Sequence, residues 1–161
     1  MKPYRKNVGI VVFNSAGQVL AGERLGYAGN FQFPQGGLDA DEEPLAAARR
    51  ELYEEIGLSL HEAPVYELPE WLQYDFPKDV PARLKKYAGQ RQRWFFFYWN
   101  GSIDELRLDQ GEQEFSQLRW FDFRELVEQI VPFKDAIYRR LYAEGQPVME
   151  RFLAAHRSRP S

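Results

Sequence analysis

Residues 36–58, GGLDADEEPLAAARRELYEEIGL, crowd three carboxylates onto one short helix, and no other stretch constrains the chain so tightly. Asp39 or Asp41 is placed to act as an N-cap, Pro44 is tolerated in a first turn, and Gly57 supplies a C-terminal stop. The spacing therefore predicts a helix over roughly 42–56. Leu45, Ala48, Leu52 and Ile56 recur at helical spacing and form a stripe that faces a core. Glu51, Glu54 and Glu55 project from nearly the same patch beside it. Like charges at these spacings repel by about 0.2–0.5 kcal/mol per pair, and more when partly buried, unless something neutralises them. A hard divalent cation such as Mg2+ does so, because it takes oxygen ligands and keeps some of its waters. Arg50, beside Glu51 and four residues before Glu54, is placed to orient a carboxylate without displacing a metal. A solvated acidic face is the bland alternative, and it would be preferred for a lone Glu-Glu pair.

Here the pair does not stand alone. Gly36, Glu42, Arg50, Glu51, Leu52, Glu54, Glu55, Gly57 and Leu58 fall at the fixed spacing of the Nudix box, with no departure at any specified position. The chain therefore resembles the Nudix hydrolases. That resemblance implies an α/β protein, a Nudix-type α/β/α sandwich with a central mixed sheet. It also implies hydrolysis of a nucleoside diphosphate linked to another group, and a metal bound by Glu51, Glu54 and Glu55 with a carbonyl at Gln35 or Gly36.

With 161 residues, 44% of them hydrophobic and 16% aromatic, the chain is sized for one domain with a real core, and 1–161 is read as a single Nudix domain. The absence of cysteine rules out disulfides and thiolate metal sites and fits a reducing compartment. The apolar run near the N-terminus is too short for a signal peptide and nothing later reaches membrane-spanning length, so a cytoplasmic protein with no membrane partner is expected. A net charge of -3 gives no global field for nucleic acid, and any polyanion site must be local.

Along the chain, 8–13 reads as a strand, 14–17 as a turn and 18–23 as the partner strand of a hairpin. Residues 31–33 are short and aromatic, and 34–37 read as a tight turn into the acidic helix. Beyond it, 65–68 is a strand and 71–88 a charged insertion of the kind that forms lids. Residues 89–101 form the strongest strand, central in the sheet, with its polar beginning at a sheet end where ligands collect. A loop over 104–115, a strand over 117–121 and helices over 123–130, 133–143 and 148–156 follow.

Outside the box, YRKNVGIVVFN, FQFPQGG, WLQY, GQRQRWF and VPFKDAIYRR together resemble the bacterial RNA pyrophosphohydrolases and the related dinucleoside polyphosphate hydrolases over nearly the whole chain. Carried over by position, Arg5 would contact substrate phosphates. Arg24 would stack on or pair with a base, and Phe133 and Lys134 would form the opposite wall, with Val131 lining the same pocket. Tyr74 and Gln90 are further substrate-binding candidates. Taken singly, Phe133 is as readily a core residue and Arg24 a surface one. Pro132 and Asp135 depart from the pattern of the RNA enzymes and make the cleft less cationic, which leaves room for a smaller nucleotide.

The resemblance further implies Mg2+, with Mn2+ as a substitute, held by Glu51, Glu54 and Glu55 with Glu114 joining from outside the box. Glu54 or Glu51 would be the general base, Arg50 would assist, and Glu70 is an outside candidate. The implied substrate is 5'-triphosphorylated RNA or a nucleotide polyphosphate, acted on by a monomer or homodimer. A dinucleoside polyphosphate or dNTP pyrophosphohydrolase is the alternative within enzymes. A Nudix-fold sensor should lack box carboxylates, all of which are present here, and an acidic interaction domain is disfavoured by the paired Arg and aromatic residues near the C-terminus.

Overall fold

The computed structural model describes residues 1–157, so positions 158–161 of the expected domain lie outside it. The chain runs through β1 (Tyr4–Phe13), β2 (Gln18–Arg24), β3 (Phe31–Gln32), β4 (Gln35–Gly37), α1 (Pro44–Ile56), β5 (Tyr66–Glu67), β6 (Leu72–Asp75), β7 (Gly89–Tyr98), β8 (Phe115–Asp122), α2 (Phe123–Gln129) and α3 (Asp135–Arg157). Short 3-10 turns occupy Ala82–Leu84, Ile103–Glu105 and Pro132–Lys134.

The strands form one mixed sheet in the order β3-β2-β1-β7-β5, with β4 on β1, β6 on β7 and β8 on β2. Its spine is the parallel pair of β1 and β7, in register from Tyr4 beside Gly89 to Phe13 beside Tyr98. Both strands are apolar on two faces because helices cover both, the pattern expected of strands buried on either side. Val8, Ile10, Val12, Phe95 and Phe97 pack with Ala47, Ala48, Leu52 and Ile56 of α1. Val11, Phe13, Trp94 and Phe96 pack on the other face with Phe123 and Leu126 of α2 and Ile137, Leu141 and Met149 of α3. Full burial of side chains such as Leu52 and Ile56 stabilises the α1 layer by about 1.5–3 kcal/mol each.

Several sequence expectations change in three dimensions. The hairpin of β1 and β2 is nearly absent: the two pair only at Phe13 and Val19, while β2 runs beside β8 along its whole length, from Gln18 opposite Asp122 to Arg24 opposite Phe115. Residues 34–37 are not a free turn, because Gln35, Gly36 and Gly37 pair antiparallel with Gly9, Val8 and Asn7. The insertion 71–88 contributes an ordered edge strand, β6 on β7. The last two predicted helices are one, α3, which continues through Pro147. Ile137, Leu141, Gly145, Met149 and Leu153 recur every four residues along it and are all buried, so packing outweighs the roughly 3 kcal/mol that an internal proline costs.

α1 starts later than predicted, and neither Asp39 nor Asp41 caps it. Glu43 holds the N-cap position without a side-chain bond. Gly57 does end the helix, in a left-handed conformation (φ 71°) whose N–H reaches the carbonyls of Leu52 and Tyr53. Among the described residues no helix is long and apolar enough to cross a membrane.

Candidate active site

The crowding of acids on α1 is resolved first by Arg50. Its Nε and Nη2 donate to the two oxygens of Glu42 at 2.9 and 2.8 Å, and Nη2 also reaches the carbonyl of Gly37 at 2.9 Å. Its Nη1 donates to Glu51 at 2.9 Å and Glu54 at 3.2 Å. The rigid fork thus ties the strand β4, the loop before α1 and two of the helix carboxylates into one unit. Glu42, which also accepts from the N–H of Asp39 at 2.9 Å, is held below the usual carboxylate range by the Arg50 hydrogen bonds. It acts as a strut for Arg50.

Glu51 is mostly buried, and burial outweighs Arg50 to push its pKa up to about 7. Its carboxylate occupies the space a Cβ on Gly36 would fill, so glycine at that position is what lets strand and helix approach. Glu55 is more deeply buried still. Its carboxyl accepts the Gln35 N–H, its Oε2 has no hydrogen-bond partner, and burial with the charges of Glu51 and Glu114 raises its pKa well above the usual value. A buried carboxylate with an orphan oxygen, next to a second one, is a donor set suited to a hard cation. Glu51, Glu54, Glu55, Glu114 and Gly36 all line one cleft of about 490 Å3. Among the described residues no three acids converge closely enough to form a ligand cluster by themselves.

The rest of the cleft is built by the first residues of β1 and β7 and by the chain around β3 and α3. Arg5 donates to Gln90 Oε1 at 2.9 Å, and Asn7 donates to the same oxygen at 3.0 Å. Gln90 in turn donates to the Tyr74 hydroxyl, and Gln92 donates to Asn7 at 2.8 Å and Gln35 at 3.1 Å. This amide relay is buried and satisfied, so it fixes the direction in which Arg5 points. Lys134 is buried and donates to Gln32 at 2.7 Å; burial, aided by the charge of Arg24, lowers its pKa to about 7. Arg24 lies 4.4 Å from the ring centre of Tyr27, Phe133 packs 5.8 Å from Tyr74, and Val131 lines the cleft beside them.

Arg5, Arg24, Tyr74, Gln90, Val131, Phe133 and Lys134, drawn from five separate stretches, therefore meet in the cleft that holds the box acids. Arg50 stands behind the acids instead of lining the cleft. Glu70 is not brought to it: its carboxylate pairs with Arg140 at 2.9 Å. Sequence reasoning missed Asn7, Gln32 and Gln92, which orient the cations, and gave Gln35 only a backbone role, whereas its side chain accepts from Gln92. The one signal for them was the pair of amides at alternate positions, Gln90 and Gln92, interleaved with Arg91 and Arg93 at the polar start of β7.

A mixed sheet between helical layers, with a helix of acids below a cleft walled by cations and aromatic rings, defines a phosphate-handling α/β protein. The family model described as NUDIX domain matches residues 3–141, and the chain belongs to that family. Among curated relatives, it is 46% identical over 145 residues to the RNA pyrophosphohydrolase of Acidiphilium cryptum (strain JF-5), covering 86% of this chain and 88% of that one. It is 42% identical over 149 residues to the RNA pyrophosphohydrolase of Cereibacter sphaeroides (strain ATCC 17029 / ATH 2.4.9), covering 90% and 92%. Among solved structures, the MutT protein from Methanosarcina mazei Go1 superposes with a TM-score of 0.66 at 17% identity, covering 89% of this chain and 96% of that one. The E. coli dihydroneopterin triphosphate pyrophosphohydrolase gives 0.63 at 15% identity, covering 96% and 99%, and both show the shared fold. Nudix hydrolases generally use divalent metals.

Proposed function

We propose that the protein is a cytoplasmic Nudix pyrophosphohydrolase that acts on 5'-triphosphorylated RNA, releasing pyrophosphate and leaving a 5'-monophosphate. One observation carries the reading: the box acids and a wall of Arg5, Arg24, Phe133 and Lys134 share one cleft. The acids suit the metal-bound phosphates, and an aromatic ring flanked by cations in the same cleft suits a base and its phosphate. The names of the relatives at 40–46% identity agree with it.

Glu51, Glu54, Glu55 and Glu114, with a carbonyl at Gly36 or Gln35, would hold Mg2+, or Mn2+ in its place. When bound, the ion neutralises phosphate oxygens and lowers the pKa of the attacking water. Arg5, fixed by Gln90, holds the phosphates in line for attack. The water oxygen bonds to the α-phosphorus as the bond to the departing pyrophosphate breaks. Its proton goes to Glu54 or Glu51, and Arg50 holds both carboxylates by hydrogen bonds. Arg24 and Phe133 grip a base, and Lys134 contacts it or a phosphate.

The test is product analysis on triphosphorylated RNA, diadenosine tetraphosphate and single dNTPs, each with Mg2+ and with EDTA. The RNA should be processed fastest and only with the metal. Faster turnover of diadenosine tetraphosphate or a dNTP would replace this reading with that of a small-nucleotide hydrolase.

A further inference from the structure

Behind the rim of the active-site cleft lies a second, shallower basin of about 430 Å3, lined by Lys2, Lys78 and Lys85 together with Phe76, Val80 and Tyr87. The two concavities share Phe76, Pro77 and Val80, so only the segment between β6 and the Ala82–Leu84 turn separates them. Among the described residues no carboxylate lines the basin, in a chain whose net charge is -3. Lys2, Lys78 and Lys85 are exposed, and among the described residues none of them is engaged in an ion pair. The rings of Phe133, Tyr74 and Phe76 follow one another at 5.8 and 6.0 Å from the cleft to this shared rim.

We propose that this lysine basin is the exit track for the RNA: it binds backbone phosphates of the nucleotides downstream of the one held in the cleft. The inference rests on the RNA reading of the active site and adds a discriminating element to it. Three cations without a counter-charge form a local polyanion site in a chain whose overall charge supplies no global field. The Phe76 and Tyr87 rings offer stacking faces for bases on the way. A nucleoside triphosphate ends inside the cleft and cannot reach the lysines, whereas an oligonucleotide continues over the rim. Length is thereby converted into affinity.

The basin differs from a second basic cluster outside the cleft, Lys6, Arg91 and Arg93 around Trp71. There Arg93 is paired with Glu67. Lys6 and Arg91 also follow cleft residues Arg5 and Gln90 on their strands, so strand alternation directs them to the opposite face of the sheet.

The experiment compares wild type, a Lys2→Gln/Lys78→Gln/Lys85→Gln triple variant and a charge-matched Lys6→Gln/Arg91→Gln/Arg124→Gln control. Each is assayed with Mg2+ on a triphosphorylated RNA pentamer and on a nucleoside triphosphate at several salt concentrations, and melting curves verify folding. The triple variant should lose tenfold or more in kcat/KM on the pentamer and keep its rate on the nucleoside triphosphate. The salt dependence of its KM for the pentamer should be shallower by about two in log-log slope, because each single-strand phosphate that a lysine neutralises contributes about 0.7. If the triple variant will not fold, Lys78→Gln alone should show a smaller loss of the same kind. An undiminished pentamer rate, or an equal loss in the control, overturns the basin while leaving the substrate reading intact. A wild-type enzyme that turns over the nucleoside triphosphate but not the pentamer overturns the substrate reading itself, and the track with it.

Discussion

The Glu51 carboxylate fills the space that a side chain on Gly36 would need, so a Cβ there would fall inside it. Strand β4 and helix α1 therefore meet at their reacting ends through the only residue type that leaves room for the acid. Gly36→Ala should push that carboxylate out of line. We expect kcat to fall by about 100-fold, the scale of a misplacement near 1 Å, with a shift of only a few degrees in melting temperature. Unchanged kcat would show that Glu51 does not act from this position.

Glu51→Gln and Glu54→Gln should each abolish turnover while leaving the fold intact, because removing one of several mutually repelling acids relieves the helix. For both residues, weakening of the charged Arg50 bond offsets part of that relief. Steady-state rates with Mg2+, together with circular dichroism melts, check both halves. Near-native rates in either variant would remove that residue from the mechanism.

Metal binding has its own readout apart from turnover. Saturating Mg2+ should raise the melting temperature of the wild type, since a ligand at 100 times its Kd stabilises by about 2.7 kcal/mol. The rise should be absent from a Glu51→Gln/Glu55→Gln variant and reversed by EDTA. An equal rise in both proteins would place the ion elsewhere.

Phe133 packs against the core cluster and yet lines the cleft, so the two roles can be separated by their costs. Phe133→Ala should raise KM for RNA by about tenfold or more, the value of one stacked base, and weaken binding more than it lowers the melting temperature. Equal losses would make the ring a core residue only.

Lys134 gives the stability a pH dependence of definite sign. Its pKa falls from 10.5 in the unfolded chain to about 7 in the folded one. Between those values the unfolded state binds the extra proton, so stability rises with pH across the window and is lost as pH falls toward 7. Relative to Lys134→Met, the wild type should gain about 2 kcal/mol between pH 7 and 9 in denaturant titrations. A flat difference would mean that the ammonium is solvated.

What the sequence by itself determined is local and periodic. The spacing of Arg50, Glu51, Glu54 and Glu55, the stripe of α1, its stop at Gly57 and the apolar run of β7 are all properties of a few neighbouring residues, readable without knowing what they touch. Tertiary structure decided the rest, because each remaining feature depends on a partner far along the chain. Gln35–Gly37 is a strand only because Asn7 to Gly9 lie beside it, and glycine carries no strand preference to announce it. α3 passes through Pro147 because its buried face is continuous on either side, a nonlocal gain larger than the local cost. The same holds for the cleft: Arg5 points where it does because Gln90, 85 residues away, accepts its hydrogen bond, and no local propensity encodes that direction.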